Sequence, residues 1–202
     1  MKTHIRRARP AFTLVEVLVV MTIIAILAGL VVVGMEFAKQ RQASEKAKVQ
    51  IALLSKGIEE YKADMGFYPG DVADTPVEGK VSKQIYQVLF YEGYDYDKQG
   101  NPAAWEKKLN TGEIVPKATK IYIAELDPRN NKMGWVTKLK LTETPSDKLE
   151  ITDPWGNGYR YRKGNDAQNP DFDLWSIGKD GKTNATSPAM TIDENKDDIR
   201  NF

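Results

Sequence analysis

The side chains able to do chemistry in this 202-residue chain are almost all carboxylates. There is no cysteine and one histidine, His4, so zinc sites built on thiolate and imidazole, and histidine-based nucleophile triads, lack their ligands and base everywhere beyond residue 4. Paired carboxylates remain as an acid–base option, with Glu59 beside Glu60 and Asp95 near Asp97. Adjacent residues diverge on a helix and no nucleophile motif accompanies either pair, so these residues do not point to an enzyme. Glu16 carries more. It is the one charge in the apolar run 12–35, FTLVEVLVVMTIIAILAGLVVVGM. An ionised side chain in the middle of a span costs roughly 2.5–3.5 kcal/mol on insertion scales, and a carboxylate within one is a functional position whose partner has to be named. The bland reading is a glutamate snorkelling toward headgroups from the end of a span.

The element that positions Glu16 is a helix. Residues 12–35 suffice to cross a hydrocarbon core about 30 Å thick with some tilt. The preceding stretch MKTHIRRARPA holds Lys2, Arg6, Arg7 and Arg9 and no acid, which keeps the amino end cytoplasmic and places the rest of the chain outside. A secretory signal would have a shorter apolar region and a small-residue cleavage site, whereas this run contains an acid and ends in Met35-Glu36-Phe37. Without those four basic residues, a chain of 29 Lys plus Arg and 28 Asp plus Glu goes from a formal charge of +1 to −3. Nucleic acid is therefore not an expected partner. With no cysteine, an exported domain must hold together by its core or a bound ion.

Helical patterning continues past the span. Ala47, Ile51, Leu54, Ile58, Tyr61 and Met65 form an apolar stripe at spacings of three and four, with Lys46, Lys48, Lys56, Glu59, Glu60 and Lys62 on other faces. No proline interrupts residues 12–67, Gly66 is placed as a C-terminal cap and Pro69 forbids continuation. The expectation is one helix from residue 12 to 65, with 12–35 in lipid and 36–65 amphipathic. Beyond it, 80–91 has helical spacing at Val81, Ile85, Val88 and Leu89. Segments 119–126, 135–141, 159–162 and 172–177 alternate as half-buried strands do, and 71–79 and 100–116 read as loops. This is an α+β arrangement, a long helix packed on a small antiparallel sheet in one outer domain, 66–202.

The run Ala11-Phe12-Thr13-Leu14-Val15-Glu16 behind a short basic leader resembles the class III signal of type IV pilins and type II secretion pseudopilins. That resemblance implies a cytoplasmic leader 1–11, cut between Ala11 and Phe12 by a prepilin peptidase that methylates the new amino terminus. Two residues depart from the pattern: Ala11 stands where the family usually has glycine, and Val33 where a proline is frequent. Gly29 and Gly34 are then the weak points of the helix, each costing about 1 kcal/mol relative to alanine. The resemblance further implies that Glu16 meets the amine of Phe12 on a neighbouring copy, so each group offsets the other's desolvation.

Three later segments narrow the resemblance to the major pseudopilins of type II secretion: Tyr68-Pro69; Asp153-Pro154-Trp155-Gly156-Asn157 before Tyr159; and 172–181, FDLWSIGKDG, followed by Asp197-Asp198-Ile199. Alone, the second is only a turn. The region 71–149 resembles the family poorly. The family closes its sheet with a calcium-binding C-terminal loop, here about 176–199, which implies Asp180, Asp197, Asp198 and the carbonyl of Ile177 as ligands. Calcium takes six to eight oxygens at about 2.3–2.6 Å, which these groups supply. The connection 182–196 is longer than usual, leaving open whether Asp193 or Glu194 substitutes. The implied function is a non-catalytic subunit of a periplasmic homopolymer that drives export of folded proteins. Its implied partners are the inner membrane lipid, minor pseudopilins, the prepilin peptidase and an inner-membrane assembly platform coupled to an ATPase. A type IV pilus or DNA-uptake subunit is the alternative, and a monomeric anchored domain a third reading.

Overall fold

The computed structural model describes residues 13–70, 81–99, 106–108, 112–164, 167–184 and 193–202. The leader 1–11, the cleavage residues Ala11 and Phe12 and the loop 71–79 lie outside the described residues. The chain divides into two units, Met1–Gln42 and Ala43–Phe202. Helix α1, Leu14–Met65, has 52 residues. It ends where expected: Gly66 adopts φ +81°, its N–H donates to the Lys62 carbonyl at 2.8 Å, and Lys62 sits in the last turn, where a cation meets the negative end of the helix.

In the first unit the large apolar side chains of α1 stand exposed, from 48 % at Val17 to 80 % at Leu14. Among the described residues this is the one helix long and apolar enough to cross a membrane. It runs unbroken through Gly29 and Gly34. Open space surrounds the position of a Cβ at both.

The second unit is organised on the stripe of α1. Ala47, Ile51, Leu54, Ile58 and Tyr61 are buried, Gln50 with them, and Met65 packs partly buried against the same core. Each fully buried Leu or Ile adds roughly 1.5–3 kcal/mol. The stripe meets α2 (Val81–Tyr86), a π-helical turn Gln87–Tyr91 and α3 (Glu92–Gln99), together with Trp135, Tyr159 and Leu174. The expected helix at 80–91 is present but contains the π turn. There the Leu89 carbonyl accepts the N–H groups of Tyr122 at 2.9 Å and Ile123 at 3.2 Å. Gly93 allows this approach, since a Cβ on it would strike the backbone of Lys120 and Ile121.

That docking explains a correction. Segment 119–126 is not a strand: the N–H groups of Tyr122 and Ile123 go to Leu89, and it ends in a 3-10 turn, Ala124–Leu126. Segment 135–141 is not a strand either. Trp135 donates its N–H to the Asn131 side chain at 3.0 Å, and the Leu139 N–H goes to the Pro128 carbonyl. Within the stretch expected as a loop, β1 (Glu106–Lys108) pairs antiparallel with β2 (Ile114–Pro116), Lys107 opposite Val115. The main sheet is antiparallel in the order β3 (Arg160–Lys163), β4 (Phe172–Ser176), β5 (Ile199–Arg200). Every residue of the central β4 is buried, so the expected alternation is absent there.

The β1–β2 hairpin is tied down by an inward lysine. Lys107 Nζ donates to Glu92 Oε1 and to the Tyr61 hydroxyl, each at 2.9 Å, and Glu92 Oε2 accepts the Ala118 N–H at 2.7 Å. The Lys107 and Glu92 side chains are 6 % and 2 % exposed. Burial pushes the Lys107 ammonium down, and Glu92 pulls it back up. Removing one partner strands a buried charge, which costs about 3–5 kcal/mol, whereas replacing both with uncharged groups of similar volume is close to neutral. Thermal unfolding of the detergent-solubilised chain is therefore expected to show a large loss for Lys107→Ala, and most of it recovered in the double variant Glu92→Gln with Lys107→Met.

Candidate functional site

Glu16 lies in the first turn of α1 and its carboxylate bends back to the helix start. Glu16 Oε2 accepts both the N–H and the hydroxyl of Thr13, each at 2.8 Å, while the Glu16 N–H donates to Thr13 Oγ1 at 3.2 Å. This is a reciprocal capping box, in which an N-cap threonine and a glutamate three residues on satisfy each other's backbone donors. The charge also sits at the positive end of the helix dipole. The Thr13-x-x-Glu16 spacing announces this in the sequence, and a reading that looked only for an outside partner passes over it. Glu16 is thus held by its own chain.

The second candidate region lies where β4 ends. Ile177 is buried, and Gly178 follows at φ +63° with the Asp197 carboxylate against it; a side chain there would displace Asp197. Asp197 Oδ2 accepts the Asp180 N–H at 3.0 Å, and Asp180 Oδ1 accepts the Lys182 N–H at 2.8 Å. Asp180 is exposed. Asp198 is buried and turned inward: its Oδ2 accepts the Thr183 hydroxyl at 2.9 Å and Arg200 Nη2 at 2.8 Å. Its Oδ1 is buried with no hydrogen-bond partner among the described residues. Burial pushes the Asp198 carboxyl up, and Arg200 and Thr183 draw it back. Asp193 pairs with Lys196, and Glu194 is exposed.

The structure therefore links Asp180 to Asp197 through a main-chain bond and points Asp198 elsewhere. Among the described residues no three acidic side chains gather into one metal cluster. A hard cation's requirements are met in part, by the unpartnered Asp198 oxygen and by the carboxylate of Asp197 beside Gly178.

Asp153 positions this loop and was legible in the sequence only as part of a turn. Its Oδ1 accepts the N–H groups of Trp155 at 3.0 Å and Asn157 at 2.8 Å. Its Oδ2 accepts the Ser176 hydroxyl at 2.6 Å, and Ser176 Oγ accepts the Gly178 N–H at 3.1 Å. Asn157 Nδ2 donates to the Gly178 carbonyl at 2.7 Å. The turn 153–157 thus holds both polar groups of the Gly178 backbone. Burial pushes the Asp153 carboxyl up, against the pull of the Ser176 and backbone hydrogen bonds.

Two family descriptions match the chain. The prokaryotic N-terminal methylation motif covers residues 6–32, and the type II secretion system (T2SS) protein G description covers 128–195. The first includes Ala11, Phe12 and Glu16; the second includes the turn at Asp153 as well as Ile177 and Asp180, and stops short of Asp197. The chain is similar to type II secretion system core protein G of Pseudomonas aeruginosa, 29 % identical over 178 residues, 88 % of each chain. It is also similar to the proteins of the same name in Vibrio cholerae, 27 % identical over 87 % of this chain and 84 % of the relative, and in Escherichia coli K12, 27 % over 85 % and 82 %.

Asp153→Ala removes the acceptor for three donors. Each buried donor left unsatisfied costs about 1–3 kcal/mol, so a clear fall in melting temperature is expected. Asp153→Asn isolates the charge. A carboxyl whose folded pKa lies above its unfolded value binds more protons when folded, so its contribution falls as pH rises from the ordinary aspartate range through the raised value. Across that window the stability of the native chain relative to Asp153→Asn is expected to decrease with rising pH, read from melting curves at stepped pH.

Proposed function

We propose that this chain is a structural, non-enzymatic subunit of a type II secretion pseudopilus, similar to core protein G, and that it is processed, stored and assembled as follows. It resides in the inner membrane through 12–35, with its amino terminus in the cytoplasm and its second unit in the periplasm. A prepilin peptidase cuts between Ala11 and Phe12 and methylates the amine this exposes. Copies then leave the membrane as parallel α1 helices, drawn by an assembly platform coupled to an ATPase. Minor pseudopilins join the filament, and its growth moves folded proteins outward.

The observation that carries this reading is Glu16. A carboxylate on a helix whose apolar side chains are bare is tolerable while Thr13 caps it. In a filament interior, a cation close to Thr13 satisfies the remaining charge, and the amine created at Phe12 of an adjacent copy is that cation. The capping box holds Glu16 back toward the helix start, where such an amine would arrive.

Calcium belongs to the same reading. Bound at the C-terminal loop, the ion would neutralise carboxylates and tie a cysteine-free tail to the sheet. The Asp198 Oδ1 atom, the Asp197 carboxylate, Asp180 and the Ile177 carbonyl are the groups that would hold it, with Asp153 and Asn157 fixing Gly178 between them.

Two variants separate charge from cap at Glu16. Glu16→Gln keeps a side chain that completes a capping box, yet it removes the charge; Glu16→Ala removes both. Both are expected in the membrane at native levels, and both are expected to lose shear-released filaments. A normal filament yield from Glu16→Gln would contradict the charge pairing. For the loop, added calcium is expected to raise the unfolding temperature of the detergent-solubilised chain and EGTA to reverse it.

A further inference from the structure

Between Asp127 and Glu143 the chain holds no acid and four basic residues, Arg129, Lys132, Lys138 and Lys140. Arg129 is taken by Asp127, its Nη2 2.9 Å from Asp127 Oδ2. The three lysines are exposed, and among the described residues none of their ammonium groups enters an ion pair. The segment that carries them is fixed at several points. Trp135 is fully buried, and Leu139 donates its N–H to the Pro128 carbonyl at 3.0 Å. The Glu143 N–H donates to the Lys140 carbonyl at 3.0 Å, while Glu143 Oε2 accepts the Lys140 N–H at 2.9 Å. Leu141 and Thr142 are the tip of that turn. Leu141 is 82 % exposed, more than any other large apolar side chain among the described residues. Turn tips favour Gly, Asn, Asp, Ser and Pro for backbone reasons, and no packing within the chain calls for leucine there.

The same segment lies against α1 near the start of the second unit, where a Cβ on Gly134 would stand 3.5 Å from Lys46 Nζ. Lys46 follows Met35, the last residue of the apolar run, by eleven positions. Even fully extended, that length of chain reaches no more than about 40 Å. A membrane holding residues 12–35 is therefore always within the tether of this segment, and contact with it is intramolecular.

We infer that the turn at Leu141 rests on the anionic phospholipid surface of that membrane, with Lys132, Lys138 and Lys140 over headgroup phosphates and Leu141 in the headgroup–acyl boundary. This contact presupposes the membrane reading above. Lysines near an anionic leaflet are drawn to it, and an apolar tip enters the boundary while the ammonium groups beside it stay in water. Without its leader the chain has a formal charge of −3, so an anionic surface repels it on average and an acid-free stretch decides which face turns inward. An acidic protein partner would answer the lysines and leave Leu141 without a role; lipid answers both. The contact belongs to the stored subunit and is given up when α1 leaves the membrane.

The chain has no cysteine, so Thr142→Cys gives a single site for an environment-sensitive fluorophore. The labelled full chain is placed in nanodiscs of phosphatidylcholine alone or mixed with phosphatidylglycerol, one chain per disc, with Gln168→Cys, exposed in the turn before β4, as the control site. The expected result is brighter, blue-shifted emission at position 142 in phosphatidylglycerol discs only, no change at position 168, and reversal at high salt. At about a factor of five per lysine, replacing Lys132, Lys138 and Lys140 together with glutamine is expected to weaken the contact about 100-fold. The salt arm uses the native lysines and decides the matter independently of how that variant folds. Emission at position 142 that is the same in both lipids overturns the inference. So does a shift that appears only when two chains share a disc, which assigns this surface to a second copy. A chain that does not enter the discs defeats the membrane reading, and this inference with it.

Discussion

One helix has to satisfy two surroundings without a break. Helix α1 runs from Leu14 to Met65, apolar on all faces in its first part and apolar on a single stripe in its second. Its unbroken backbone depends on the absence of proline and on caps at both ends, Thr13 with Glu16 at the start and Gly66 at the finish. In the second unit, the stripe from Ile51 to Tyr61 supplies the wall on which the rest of the core is laid. In the first unit the same backbone presents side chains that only lipid or other copies of the helix can cover. The charge placed there stands at the start of the helix, where backbone donors are at hand.

The second unit joins its loops to this scaffold with buried polar groups. Lys107 and Glu92 carry the β1–β2 hairpin onto Tyr61 of α1. The Leu89 carbonyl holds the chain at Tyr122 and Ile123. Asp153 and Asn157 hold Gly178, and Asp198 with Arg200 holds the last strand. In a cysteine-free chain these contacts do the joining that disulfides do elsewhere. The described ends of the C-terminal connection, 182–184 and 193–198, are held by protein groups, Asn184 by Asn195 and Thr183 by Asp198.

What was legible in the sequence is what depends on local pattern. The α1 stripe, its end at Gly66, β3 and most of β4 follow from periodicity and turn chemistry. Segments 119–126 and 135–141 alternate as strands do, yet their N–H groups found partners at Leu89, Asn131 and Pro128, which no local pattern encodes. The β1–β2 hairpin is masked by its charges, because the residue facing inward is a lysine. β5 has two residues, too few for any periodicity, and its pairing depends on Trp175 and Ser176 more than twenty positions earlier. At the functional positions Glu16 was conspicuous as a charge, while its cap was written in Thr13. Arg200 carries no motif; its meaning appears only when Asp198 is seen beside it.

The central claim is that Glu16 finds its permanent partner only after the chain is cut, because the cut creates the amine. Mass spectrometry of the amino terminus of the chain isolated from its native membranes tests this most directly. The account requires a mature chain beginning at Phe12 and carrying one methyl group on its amine. A chain still beginning at Met1, with its leader intact in the assembled fraction, would contradict it.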